Sequence, residues 1–112
     1  MEILKVSGTS VPRSVAGAIA AVLRREEVVA VQAVGAMAVN QAVKSMAIAR
    51  EYLVEDHWDL SIAPNFEHIE IDGAERTAIK FTVTRKARPA AEVAAPVAAE
   101  VVAEVADVPE TA

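Results

Sequence analysis

The chain has 112 residues, and alanine (24) and valine (18) supply most of its 54 % apolar content, so it can build only one modest core. It has no cysteine and two histidines, which excludes disulfide scaffolds, thiolate zinc sites and cysteine nucleophiles and leaves no multi-histidine metal site within one chain. The formal charge of −5 is unevenly placed: residues 1–88 hold all 11 Lys and Arg and 11 of the 16 acids, while residues 89–112 hold five acids and no base.

In chain order, Glu2 to Val6 reads as a first strand. Pro12 sits where a helix tolerates proline, in its first turn. Val15, Ile19, Val22 and Leu23 then mark the buried stripe of a helix to about Arg25. Val28 to Val34 is nearly continuous apolar and reads as a central strand, broken by Gly35. Val39, Val43, Met46 and Leu53 mark a second helical stripe. Trp58, Leu60 and Ile62 alternate as a strand should. Ile69 and Ile71 resume in the opposite phase, which predicts a bulge or bend near Pro64. Asp72-Gly73 is a hairpin signal, and Ile79, Phe81 and Val83 alternate in a last strand. The order β-α-β-α-β-β predicts an α/β two-layer sandwich (an α+β arrangement), with two helices on one face of a four-stranded mixed sheet.

Pro89 opens an Ala/Val/Glu/Pro-rich acidic tail of low complexity. It has no aromatic, Leu or Ile, so disorder is expected. The alternative is a conditional helix that binds a partner, because Val97, Val101, Val105 and Val108 fall at helical spacing beside Glu100, Glu104 and Asp107. Residues 1–88 are read as one domain and 89–112 as its tail.

Enzymatic chemistry is not expected. His57 and His68 are the only ready bases, and each lies in a charged, exposed setting. No glycine-rich phosphate loop follows either parallel strand, and nothing points to a cofactor or metal. The Gly17-Ala18 step is read as close packing of the first helix on the sheet. The chain start lacks the basic residues and apolar run of a signal peptide, and no stretch reaches the roughly 18 uncharged residues of a membrane helix. A soluble cytoplasmic protein without a membrane partner is expected.

Two turns stand out. Ser7-Gly8-Thr9-Ser10-Val11-Pro12-Arg13-Ser14 carries four hydroxyls and an arginine into a helix N-terminus. Free amides and the helix dipole there favour phosphate, with Arg13 adding a bidentate contact; ordinary capping is the competing reading. Gly35 to Gln41 forms the equivalent turn after the second parallel strand, so both turns fall at the sheet edge where such folds bind ligands. Asn40 and Lys44 share one face of the second helix. Ala36, Ala38, Ala42 and Ala49 also suit that helix to self-association. Arg76 and Lys80 can reach nucleic acid from the hairpin, against Glu67, Glu70, Asp72 and Glu75 in the same arm. Arg24-Arg25, followed by Glu26-Glu27, reads as a surface charge cluster.

Met1-Glu2-Ile3-Leu4-Lys5-Val6-Ser7, Ser14-Val15-Ala16-Gly17-Ala18, Val31-Gln32-Ala33-Val34-Gly35, Asn40-Gln41-Ala42-Val43-Lys44, Ala47-Ile48-Ala49-Arg50 and Glu70-Ile71-Asp72-Gly73-Ala74-Glu75-Arg76-Thr77-Ala78-Ile79-Lys80 closely resemble the stage V sporulation protein S family. The resemblance runs in order over about residues 1–86. It implies an Alba-like fold, and Alba-like proteins are small, usually dimeric, and bind DNA or RNA. The regions that meet nucleic acid in them correspond here to Ser7–Ser14, Gly35–Lys44 and Ile69–Lys80. The family pattern Ser-x-Lys-Ser-x-Pro-Asn-Ser is altered: Thr9 stands for the lysine and Arg13 for the asparagine, so a positive charge has moved. Glu26-Glu27 replaces the usual Arg-Gly turn, and Glu51 replaces a glycine near the end of the second helix.

The resemblance thus implies a non-enzymatic sporulation or developmental regulator, a homodimer or higher homo-oligomer. Its nucleic-acid (DNA or RNA) contacts would fall at Ser10, Arg13, Asn40 and Lys44, with Arg76 and Lys80 as a second patch. The alternative is an oligomeric protein-interaction module without nucleic-acid binding, whose tail recruits a partner protein.

Overall fold

The alternation of apolar periods resolves into β1 (Glu2–Val6), α1 (Pro12–Arg25), β2 (Val28–Ala33), α2 (Ala36–Tyr52), β3 (Trp58–Ile71) and β4 (Ala74–Ala87). The computed structural model describes residues 1–89, and both tail readings fall at 90–112, outside the described residues. The strands form one mixed sheet in the order β1-β2-β4-β3. β1 and β2 are parallel, with Leu4 opposite Val31. β4 is antiparallel to both its neighbours, so it inserts between β2 and β3. The second crossover therefore joins strands that run the same way but are not adjacent.

One sheet face carries Val29, Val31 and Ala33 beside Val83, Phe81 and Ile79. Those residues share a single core with Ala16, Ile19, Ala20, Val22 and Leu23 of α1 and with Ala38, Ala42, Met46, Ala49 and Leu53 beyond them. Both helices therefore cover that face, which is the two-layer sandwich expected. Burying side chains such as Ile19 and Leu23 contributes about 1.5–3 kcal/mol each.

Four expectations are corrected. The buried stripe of α2 is Ala38, Ala42, Ser45, Met46 and Ala49, and Val43 is half exposed instead. Close approach of α1 and α2 needs small side chains between them, so the valine is turned outward. For the same reason Ala38, Ala42 and Ala49 are used inside the chain rather than for self-association. Gly17 is exposed, and a Cβ there would meet nothing within 4 Å, so it does not pack α1 on the sheet.

The fourth concerns Pro64. The β3–β4 register runs without interruption from Trp58 opposite Ala87 to Ile71 opposite Ala74, so there is no bulge. Pro64 is tolerated because β3 is an edge strand. The apolar phase changes because the covered face changes. Leu60 packs in the helix-covered core. Past the end of β2 the hairpin has no helix above it. There Ile69 and Ile71 turn to the open face and line a cavity of about 420 Å³ with Ile3 and Val34.

An ionic cluster ties the far end of the sheet to α2. Arg50 of α2 is ion-paired with Asp59 of β3. Arg88 lies 3.7 Å from the same carboxylate and donates to the carbonyls of Trp58 (3.0 Å) and Arg50 (3.2 Å). The Leu60 amide donates to Asp59 at 2.8 Å. The Arg50 hydrogen bond, against the opposing effect of burial, holds the Asp59 carboxyl down at about 2.

Candidate nucleic-acid interface

Because β1 and β2 are parallel, Val6 and Ala33 end at the same sheet edge. The loop to α1 and the turn to α2 both start there. Ile79 pairs with Ala33, and the β3–β4 ladder continues from there to Ile71 and Ala74 with no β2 residue beside it. The hairpin therefore projects from that same edge. Topology alone brings three distant stretches of sequence together.

The loop hydroxyls bond one another. The Ser7 amide donates to the Ser10 hydroxyl at 2.9 Å, and the Thr9 amide donates to the Ser7 hydroxyl at 3.3 Å. The Ser7 hydroxyl also lies 3.1 Å from that of Thr9 and 3.2 Å from that of Ser10. No side chain caps α1, whose N-cap is Val11, or α2, whose N-cap is Gly35 at φ +91°. The first-turn amides of both helices thus have no side-chain acceptor, and capping does not account for the hydroxyls. Two contacts seat the loop on α2. Gln41 Nε2 donates to the Ser10 carbonyl at 2.9 Å. A Cβ on Gly8 would lie 3.0 Å from the Met37 Cβ, so the backbones approach closely there and a larger residue would need Met37 to shift by a few tenths of an ångström. Gln41 was not legible as a positioning residue, since its only signal is its place beside Asn40.

The bases divide by what they touch. Arg24 pairs with Asp56 at 3.1 Å and Arg25 with Glu2 at 2.7 Å. Arg85 lies 4.5 Å above the Trp58 ring and donates to the Leu23 carbonyl at 2.7 Å. Arg50 and Arg88 hold Asp59. Lys80 is half-buried and 3.7 Å from Glu67, whose other oxygen accepts from Gln32. Among the described residues, Lys5, Arg13, Lys44, Arg76 and Lys86 form no ion pair.

Arg13 and Lys44 meet on one groove of about 460 Å³, with Val11, Pro12, Ala47 and Ile48. No acid lines it. Asn40 is exposed one turn before Lys44. Ser10 is half-buried, and its hydroxyl is engaged in the loop. The structure thus gathers Ser10, Arg13, Asn40 and Lys44 at one end of the molecule. Arg76 is exposed on the hairpin that leaves the same edge, opposite Ile69. Lys80 lies apart, opposite Gln32 on the open face of the sheet. Both histidines are exposed, with His68 3.4 Å from Glu75. No group of three or more His, Cys, Asp or Glu able to hold a metal occurs among the described residues, and no described helix is long and apolar enough to cross a membrane.

The topology and the sheet-edge grouping define a class. Alba from Thermoplasma volcanium matches the chain with a TM-score of 0.53 at 17 % identity, over 78 % of this chain and 100 % of that one. The fold is therefore Alba-like. The family model for Stage V sporulation protein S (SpoVS) matches residues 2–86, from the start of β1 almost to the end of β4. The chain belongs to that family.

Proposed function

We propose that this protein is a non-enzymatic, cytoplasmic regulator of the stage V sporulation type that binds the phosphate backbone of nucleic acid as a homo-oligomer. The observation that carries the reading is the groove between the first turn of α1 and the middle of α2. Two cations without ion pairs, Arg13 and Lys44, lie on it, Arg13 in the first turn of a helix whose start no side chain caps. Phosphate oxygens match both the guanidinium and the free amides. Few cations take part, so binding should be weak, with a salt slope of about −0.9 for each phosphate neutralised. Asn40 adds a neutral donor and Arg76 an outlying charge.

A second reading has its own support. Met37 and Val43 on the outward side of α2 are 67 % and 50 % exposed, as an interaction module would require. The deciding experiment is a salt titration of the full chain with duplex DNA, single-stranded DNA and RNA. It is repeated with Glu100→Gln, Glu104→Gln and Asp107→Asn combined, to remove competition from the tail. Saturable, salt-sensitive binding by either protein supports the first reading, and the preferred ligand names the substrate class. Absence of binding by both at low salt transfers the reading to the interaction module.

A further inference from the structure

The described chain leaves the fold beside α2. Arg88 bonds the carbonyls of Trp58 and Arg50, which fixes the exit at the C-terminal turn of that helix. Arg88 lines a shallow cavity of about 250 Å³ with Ala47, Arg50, Glu51 and Val54. Ala47 also lines the groove that holds Arg13 and Lys44. The two cavities make one continuous track along the outward side of α2. Its apolar residues are uncovered: Val54 is 37 % exposed and Val11 60 %. Its far end carries the two cations that no acid among the described residues neutralises.

The remaining sequence complements this track. Residues 90–112 hold five acids and no base. Val97, Val101, Val105 and Val108 repeat at intervals of four, four and three, with Glu100, Glu104 and Asp107 alongside. That supplies apolar side chains for the groove and carboxylates for its rim. Reach is sufficient. Arg50 and Lys44 are about 9 Å apart along α2 at 1.5 Å per residue. The stretch from Arg88 to Val97 can extend to roughly 30 Å. Covalent linkage matters as much as complementarity. A short linker gives an effective concentration of the order of millimolar, so a contact too weak to form between separate molecules is populated within one chain.

We propose that residues 97–108 dock on the outward side of α2 of their own chain, in the groove between Val11–Arg13 and Lys44–Ile48, and mask Arg13 and Lys44. Docking is a property of the chain alone. Its consequence, competition with phosphate, rests on the nucleic-acid reading above.

The chain has no cysteine, so a nitroxide on Ala106→Cys labels one position in the full-length protein. In ¹⁵N-labelled protein the expected result is selective broadening of the Val43, Lys44, Ala47 and Ile48 amides. The broadening should vanish when Glu100, Glu104 and Asp107 are all changed to Lys. It should also be absent when nitroxide-bearing ¹⁴N protein is mixed with unlabelled ¹⁵N protein. No broadening at those amides, uniform broadening over the surface, or broadening of those amides that persists in the mixed sample (the tail of a second copy on the groove) would each overturn the proposal. Masking is read separately with a duplex DNA oligonucleotide. A tail docked nine-tenths of the time lowers apparent affinity about tenfold, so Glu100→Gln, Glu104→Gln and Asp107→Asn combined should restore about that factor. Unchanged affinity overturns the masking. If neither protein binds DNA, the nucleic-acid reading fails while the amide broadening still decides the docking.

Discussion

The sequence places Arg13 among the main phosphate contacts and Lys80 in a second patch, and the structure gives the two residues different surroundings. Arg13 is exposed on the groove without an ion pair, whereas Lys80 is half-buried against Glu67. Each duplex phosphate neutralised adds about −0.9 to the slope of log affinity against log salt, so the two groove cations give about −1.8 per protomer. Over a fourfold rise in salt that slope lowers affinity about twelvefold. Arg13→Ala should reduce the slope to about −0.9 and the same drop to about threefold, equally for duplexes of different sequence. Lys80→Ala should leave the slope where it is, because the lysine already has a carboxylate partner. The assay is fluorescence anisotropy with two unrelated labelled duplexes at about 50 to 200 mM salt, the range over which such slopes are resolved. An unchanged slope for Arg13→Ala, or a loss with Lys80→Ala equal to that with Arg13→Ala, would refute the placement of the site on the groove.

Other consequences concern the scaffold. Asp59 is held at about 2 against an ordinary 3.8, so it contributes about 2 kcal/mol, present above pH 4 and lost as pH falls toward 2. Urea unfolding across that range should be steeper in pH for the parent than for Asp59→Asn, which also loses stability at neutral pH. Gly17 is exposed in mid-helix with open space around it, so Gly17→Ala should add about 0.5–1 kcal/mol, read as a higher melting temperature by calorimetry. Gln41→Ala removes the bond that seats the loop on α2, so it should cost about 1 kcal/mol. Its duplex affinity should fall with the salt slope unchanged, since no charge is lost; a changed slope would contradict a positioning role.

The element order was legible because strands and α1 are marked by Val, Ile and Leu at clean periods. α2 was legible from Val39, Met46 and Leu53, but most of its inward face was not, because that face is alanines and a serine, which hydropathy barely registers beside the outward Val43. The change of phase across Pro64 was visible, but its cause lies in which neighbours cover each half of β3, and one strand read alone does not contain that. For the site, the parallel β1–β2 pair already placed both turns at one edge. That Arg13 and Lys44 line the same groove depends on how α1 packs on α2. The pairing of Lys80 with Glu67 was hidden because the two are thirteen positions apart and meet only across the hairpin.

Formal neutrality of residues 1–88 is therefore a poor guide to their surface. Arg50 and Arg88 converge on Asp59, and Arg24 pairs with Asp56, so these cations hold the end of the sheet where β3 begins. Further toward the start of α2 the groove keeps Arg13 and Lys44 with no lining acid. The hairpin is mixed: Arg76 stands next to Glu75, which is itself opposite Glu70. Like charges facing each other there repel phosphate as readily as Arg76 attracts it. A backbone ligand therefore meets its best field on the groove and a weaker one on the arm, so Arg76→Ala should change the slope less than Arg13→Ala. The same imbalance makes the groove the place where the acidic residues 97–108 gain most by docking.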